Sequence, residues 1–241
     1  MCADQATASP PSTPQRIILV ANSKGGSGKS TLSTNLAALY AAQGFGTVLV
    51  DCDPQQSAQF WLDQRADSFP KIHSISGISN SAKPGLNWVN RIPRNIDRII
   101  VDSPGSLAIQ QLGEFLRRCD ALIVPVMPSA ADIHATRNFI HGALACHEFR
   151  HAREQVIVVG NRINARNKFF FKLNAFLEET ELEQAHHIPY AYAVLRSADD
   201  GLGLADLAPS PSHAPSREAF EEIQARLEAL FERLPSAQPL R

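Results

Sequence analysis

The sequence predicts a doubly wound α/β fold: a mostly parallel β-sheet with helices on both faces. Three observations lead there. Short runs rich in Val and Ile, nearly continuous rather than alternating, recur along the chain, as strands buried on both faces do. Helix-length stretches separate these runs, and strand–helix repetition with right-handed crossovers builds a parallel sheet. A glycine-rich segment, residues 24–31, stands where the first run meets the first helix. A length of 241 residues with 44% hydrophobic content suffices for a full core.

Taken in order, residues 1–15 are rich in Ala, Ser, Thr and Pro and read as a disordered leader. Residues 16–234 then form one domain, and 235–241 form a flexible tail. Strands are expected at Ile17–Ala21, Thr47–Val50, Arg98–Val101, Ala121–Val126 and Gln155–Val159, each bounded by Gly, Pro, Asn or Asp. Helices are expected at Lys29–Gln43, which stops at the C-cap candidate Gly44, and at Ser57–Arg65, Leu107–Arg118, Asp132–His151 and Asn167–Glu179. Residues 66–96 are less regular and hold an edge strand near Ile72–Ile75. A Pro/Ser-rich connection, Ala208–Ser216, leads into a last helix, Arg217–Leu234.

Composition removes several function classes. With 20% charged residues and a formal net charge of -1, the chain is not a polybasic nucleic-acid binder, which leaves room for a local basic patch. Cys2, Cys52, Cys119 and Cys146 are dispersed, against a CxxC metal or redox site and against a disulfide framework, and in keeping with a reducing cytosol. No signal pattern opens the chain, and no apolar run approaches the ~20 residues that cross a bilayer.

The segment Lys24-Gly25-Gly26-Ser27-Gly28-Lys29-Ser30-Thr31 carries the chemistry. Between a strand and a helix, such a loop aims backbone N–H groups and a helix N-terminus at an anion. Glycines permit the backbone angles and close approach that a Cβ blocks. Lys29 reaches the terminal phosphates and the Ser30 hydroxyl ligates Mg²⁺. Further on, the second strand runs into Asp51-Cys52-Asp53-Pro54-Gln55, and the third into Asp102-Ser103-Pro104-Gly105. Carboxylates at the C-terminal ends of neighbouring parallel strands share the crevice where open α/β sheets bind ligands. Asp102 has the setting of a Walker B carboxylate, which holds Mg²⁺. Asp53-Pro54 also reads as the start of the following helix, and the two roles are compatible.

The loop departs from GxxxxGK[ST] by carrying Ser23 in place of glycine and by adding Lys24. In this it resembles the deviant Walker A motif of the ParA/MinD family of partitioning and positioning ATPases. The resemblance implies a P-loop nucleotide fold, ATP and Mg²⁺ as cofactors, and an ATP-dependent homodimer in which Lys24 reaches the partner's phosphates. It further implies that Asp53, in a DxDPQ-like segment, positions or activates the attacking water, and that Asp51 helps organise the Mg²⁺ shell. Ser103 and Gly105 would lie in the loop that senses the γ-phosphate. Pro125–Ser129 with Asp132 is similar to a PxxPSxxD segment, and Val159–Arg162 to a strand end whose asparagine, here Asn161, contacts adenine. The likeness covers roughly residues 16–233.

Members of this family differ in the surface that the dimer binds. The last helix carries Arg217, Arg226 and Arg233 against five glutamates, and Phe220, Ile223, Leu227 and Leu230 fall at helical spacing. That pattern packs on a core. A basic, aromatic membrane helix of the MinD kind looks different, so membrane association is the lesser reading. Residues 162–172 hold Arg162, Arg166, Lys168 and Lys172 with no acidic residue, just downstream of Arg150, His151 and Arg153. They form either a patch for sequence-independent DNA binding or an ordinary solvated face. By resemblance to a family SRxA segment Arg217 also touches DNA, and Arg196 sits in a comparable basic position. The bridging cysteines of nitrogenase-type iron proteins and the CPxC motif of cluster-assembly relatives are missing. The expectation is therefore a cytoplasmic, nucleoid-associated ATPase, stimulated by a ParB-like or cargo-linked adaptor, which segregates or positions a plasmid, a chromosome region or a protein assembly.

Overall fold

A computed structural model describes residues 14–78, 88–107, 109–147, 153–164, 169–180, 182–184 and 187–235. The leader up to residue 13, the tail from residue 236, and Arg150, His151, Arg166 and Lys168 lie outside the described residues. Among those described, seven strands form one sheet: β1 (Arg16–Val20), β2 (Thr47–Asp51), β3 (Ile72–Ser76), β4 (Arg98–Asp102), β5 (Ala121–Val126), β6 (Val156–Gly160) and β7 (Glu183–Gln184). The order is β3-β2-β4-β1-β5-β6-β7, and every neighbouring pair is parallel. The helices are α1 (Lys29–Ala42), α2 (Ser57–Gln64), α3 (Ile109–Leu116), α4 (Ala130–Ala145), α5 (Phe169–Thr180), α6 (Tyr192–Asp199) and α7 (Ala214–Arg233).

The two-fold alternation of strand side chains divides the core. Ile17, Leu19, Val48, Val50 and Ile99 face the layer of α3, α4 and α5. Ile18, Val20, Leu49 and Ile100 face α1, α2, α6 and α7. Every residue of β1, β2, β4, β5 and β6 is buried, which is why these strands read as continuous apolar runs. The α/β expectation holds, and the edge strand near Ile72 is β3.

Several boundaries differ for local reasons. Helix α4 starts at Ala130 because the Ser129 side chain accepts the Asp132 N–H at 3.1 Å, an N-cap. It ends at Ala145 rather than continuing to residue 151. Helix α7 starts at Ala214, with Pro215 in its first turn, where a missing N–H costs nothing. The short β7 and α6 were not expected.

At the N-terminal end of the sheet two arginines lock α7 in place. The Arg98 Nε–H donates to Glu228 at 2.9 Å, and Arg16 Nη2–H donates to the Phe231 carbonyl at 3.0 Å. Both guanidinium groups lie over the Phe231 ring, at 5.6 and 5.4 Å from its centroid. The Tyr40 hydroxyl donates to the same Glu228 at 2.9 Å. Helix α2 is clamped as firmly: Arg65 donates both Nη groups to Asp206, at 2.7 and 2.9 Å, in a buried pair.

Candidate functional site

The C-terminal ends of β1, β2 and β4 converge on one cleft, as the sheet order requires. Its floor is the glycine-rich loop. Asn22, the buried residue before that loop, donates Nδ2–H to the Pro125 carbonyl and to Thr136 Oγ1, each at 2.8 Å, and accepts the Lys24 N–H at 3.3 Å. The loop then turns through Gly26 (φ +77°) and Gly28 (φ +91°) before α1 begins at Lys29. At Gly28 a Cβ would lie 2.0 Å from Asn161 Nδ2, so sterics and backbone angle both demand glycine there.

Lys29 is buried and donates Nζ–H to the Lys24 carbonyl at 3.2 Å. Burial pulls its ammonium below the ordinary lysine value, while the carboxylates of Asp102 and Asp53 push it back up. Lys24 itself is exposed at the cleft rim.

Asp102 ends β4, in register with Asp51 at the end of β2. It is fully buried, and its Oδ1 accepts the Ser33 hydroxyl at 3.2 Å while Oδ2 has no partner. Burial raises its pKa to about 7; the Ser30 and Ser33 hydroxyls and Lys29 work the other way, and Asp51 adds to the rise. An orphaned buried carboxylate oxygen beside a hydroxyl suits a hydrated divalent cation. Among the described residues no cluster of three or more His, Cys, Asp or Glu side chains could hold a metal ion.

Asp51 is placed differently from its neighbour. Both of its oxygens accept backbone amides, from Asp53 at 2.9 Å and Gln59 at 2.8 Å. In this arrangement it fixes the loop and the start of α2, and burial raises its pKa. Asp53 bridges two loops: Oδ1 accepts the Gln55 N–H at 2.9 Å and Oδ2 the Gly105 N–H at 3.0 Å. Lys24, Gly26, Lys29, Ser30, Asp53 and Gly105 thus share the wall of a cleft of about 940 Å³, at the upper end of ligand pockets. The non-glycine residues with positive φ, Gln56 and Arg162 (both +52°), lie at or next to this cleft.

A second, narrow pocket of about 20 Å³ opens beside Thr31, Asn161, Arg162, Pro189, Tyr190 and Phe220. Asn161 stands between pocket and loop. Its Nδ2–H donates to the Ser27 carbonyl at 2.8 Å, and its Oδ1 accepts the Arg162 N–H at 2.9 Å. The Ser27 hydroxyl is buried without a partner.

Of the basic candidates, Arg162, Lys172, Arg196 and Arg217 lie among the described residues. Arg162 lines both pockets. Lys172 is exposed on α5, its Nζ 5.5 Å from the Phe169 ring centroid, and Arg196 is exposed on α6, a helix of the opposite layer. Arg217 donates Nη2–H to the carbonyls of Leu204, at 2.6 Å, and Leu207; it ties α7 to the preceding loop. Asn22, Ser33 and Gln59 escaped the sequence reading. Only Ser33 carried a signal, since it follows Ser30 by one helical turn and so faces the same way.

The family model for the CobQ/CobB/MinD/ParA nucleotide binding domain matches residues 18–204. Over 127 residues the chain is 35% identical to the maintenance of carboxysome distribution protein A of Halothiobacillus neapolitanus, covering 51% of this chain and 56% of that protein. The chain spans between 50% and 60% of the length of such curated relatives. Among solved structures, apo McdA of Cyanothece superposes with a TM-score of 0.70 at 16% identity, over 88% of this chain and 99% of that one. The cell division ATPase MinD of Pyrococcus furiosus gives 0.69 at 18%, over 89% and 99%. At these identities the two structures speak to the fold alone.

Proposed function

The chain belongs to the CobQ/CobB/MinD/ParA nucleotide-binding family, and on that premise we propose that it is a ParA-type, Mg²⁺-dependent ATPase that positions a cargo. The observation that carries this reading is the single cleft in which Lys24, Lys29, Ser30 and Asp53 meet the glycine-rich loop, with the buried Asp102 close behind Ser30 and Lys29. Its parts suit phosphoryl transfer, which depends mostly on positioning and charge neutralisation. The loop amides and Lys29 hold the β- and γ-phosphates. Ser30 and Asp102 would hold a hydrated Mg²⁺, which would supply charge neutralisation at the phosphate, and Asp51 keeps the neighbouring loop in place. Asp53 orients a water for in-line attack on the γ-phosphorus; the bond to the ADP oxygen breaks, and the carboxylate takes up the water's proton. For this Asp53 must exchange its bond to the Gly105 amide for the water.

Lys24, on the rim, reaches the phosphates of a second copy, so ATP closes a homodimer. The dimer binds DNA without sequence preference, through exposed basic residues such as Lys172 and Arg196 and through Arg166 and Lys168. A ParB-like or cargo-linked adaptor stimulates hydrolysis and releases the dimer from the nucleoid. Likeness to a carboxysome distribution protein supports a protein assembly as the cargo, alongside a plasmid or chromosome region. The MinD-like alternative requires a membrane-binding helix, and the packing of α7 on the core weighs against it.

The test is direct. Asp53→Ala should retain ATP-dependent dimerisation in light scattering while phosphate release falls to background; unchanged turnover would sink the catalytic assignment. Cosedimentation with ATP should occur with DNA and not with anionic liposomes. The reverse result would select the membrane reading.

A further inference from the structure

We infer that Arg65 and Asp206 are positioning residues for Asp53, an assignment that rests on the phosphoryl-transfer reading above. Neither lines the cleft; helix α2 connects them to it. At its N-terminal end the Gln59 N–H donates to Asp51 Oδ2 at 2.8 Å, and the Gln56 N–H donates to the Asp53 carbonyl at 2.9 Å. Asp53 therefore moves with the first turn of α2. At the other end Arg65 follows the last helical residue, and its two Nη groups donate to the two oxygens of Asp206 at 2.7 and 2.9 Å. The guanidinium also lies over the rings of Trp61 and Phe69, 5.3 Å from each centroid.

Asp206 belongs to a loop that grips α1 as well. A Cβ on Gly201 would come within 2.4 Å of the Arg65 nitrogen, and one on Gly203 within 2.5 Å of the Ala38 Cβ, so the loop backbone lies directly on both helices. The Leu204 N–H donates to Asn35 Oδ1 at 2.9 Å, and Asn35 Nδ2–H donates to the Thr31 carbonyl at 2.8 Å, in the first turn of α1. The helix that leaves the phosphate loop and the helix that follows Asp53 are thus referred to one segment, residues 201–206. A buried ion pair adds little net stability over apolar residues of the same volume, whereas a bidentate arginine–carboxylate contact fixes direction as well as distance. Helix α2 buries only Ala58 and Trp61, too few contacts to set its tilt on the sheet, and the Arg65–Asp206 fork supplies the missing constraint. In-line attack is sensitive to that tilt, since a misplacement of about 1 Å costs about a hundredfold in rate. The step served is attack by water, not the binding of nucleotide.

Arg65→Lys tests the idea, because it keeps the charge and removes the fork. In the full chain with Mg²⁺, phosphate release in a single turnover should slow by about tenfold to a hundredfold while affinity for ATPγS stays unchanged. Without nucleotide, hydrogen exchange should quicken in residues 53–60 and stay unaltered in residues 22–29. Should Arg65→Lys fail to fold, Arg65→Met combined with Asp206→Met removes both buried charges together and repeats the measurements. Unchanged turnover, with faster exchange confined to residues 61–66, would make the pair a strut of the fold and overturn the assignment. An equal loss of affinity and turnover would overturn it too. An unaltered chain that neither binds nor hydrolyses ATP would defeat the function reading instead, and exchange in residues 53–60 would still decide for or against the clamp.

Discussion

Asp102 shows what a nucleotide site costs the chain that carries it. Its carboxyl is fully buried with one oxygen unpartnered, and burial holds its pKa at about 7 against an ordinary 3.8. Between those values the folded chain keeps a proton that the unfolded chain has released. Raising the pH through this window therefore removes stability, and the loss is complete above about 7. Asp102→Asn has no such proton to lose. In urea denaturation without nucleotide or Mg²⁺, the variant's advantage over the unaltered chain should be small near pH 4, grow to pH 7 and then level off. Its size is bounded at roughly 4 kcal/mol by the shift. An advantage independent of pH would show that the carboxyl titrates as an exposed group does. If Asp102 holds the cation as proposed, Mg²⁺ and ATP should restore the charged form.

At the scale of elements, the sequence disclosed what burial on two faces imprints and missed what single contacts decide. The five buried strands were legible because each is an unbroken apolar run, whereas α6 buries only Val194 and Ser197 and so leaves no stripe to read. The glycine-rich loop was legible because Gly26 and Gly28 need their left-handed angles. Asn22, the Asp53–Gly105 bond and the placement of Arg162 in the cleft wall were not, because each depends on which strand ends become neighbours. The bonds of Arg217 to the loop carbonyls of Leu204 and Leu207 were equally out of reach of the sequence, because they depend on how that loop folds back on α7. Helix α7 was read as a core helix from the spacing of its apolar residues, and Phe220, Ile223, Leu227, Leu230 and Phe231 are all buried. At about 2 kcal/mol for each such side chain, peeling the helix away would cost roughly 10 kcal/mol before the Arg98–Glu228 pair is counted. Leu227→Ala should therefore lower the stability of the whole chain by about 2–5 kcal/mol in chemical denaturation, in one transition. A separate early transition for α7 would instead mark it as a detachable element.

For the whole molecule, the proposed dimer turns on where two lysines stand. Lys29 is buried, tied to its own loop and flanked by Asp102 and Asp53, while Lys24 is exposed at the rim of the same cleft. In the proposed dimer the two lysines would meet different copies' nucleotides. Lys29 serves its own subunit, so Lys29→Ala should abolish nucleotide binding and dimerisation together. If Lys24 serves the other subunit, Lys24→Ala should leave ATP binding to the monomer close to unaltered and weaken dimerisation alone. Each Lys24–phosphate contact is a charge-assisted bond worth about 1.5–3 kcal/mol, and a symmetric dimer contains the contact twice. The loss should thus be at least a hundredfold in the dimer dissociation constant. Light scattering over a range of protein concentrations with ATP and Mg²⁺ measures it, beside fluorescent-nucleotide titration of the monomer. DNA binding should fall in step, because pairing two basic surfaces multiplies their affinity without adding a contact. Loss of nucleotide affinity in Lys24→Ala equal to that in Lys29→Ala would place both lysines in one subunit's site and remove the switch between one copy and two.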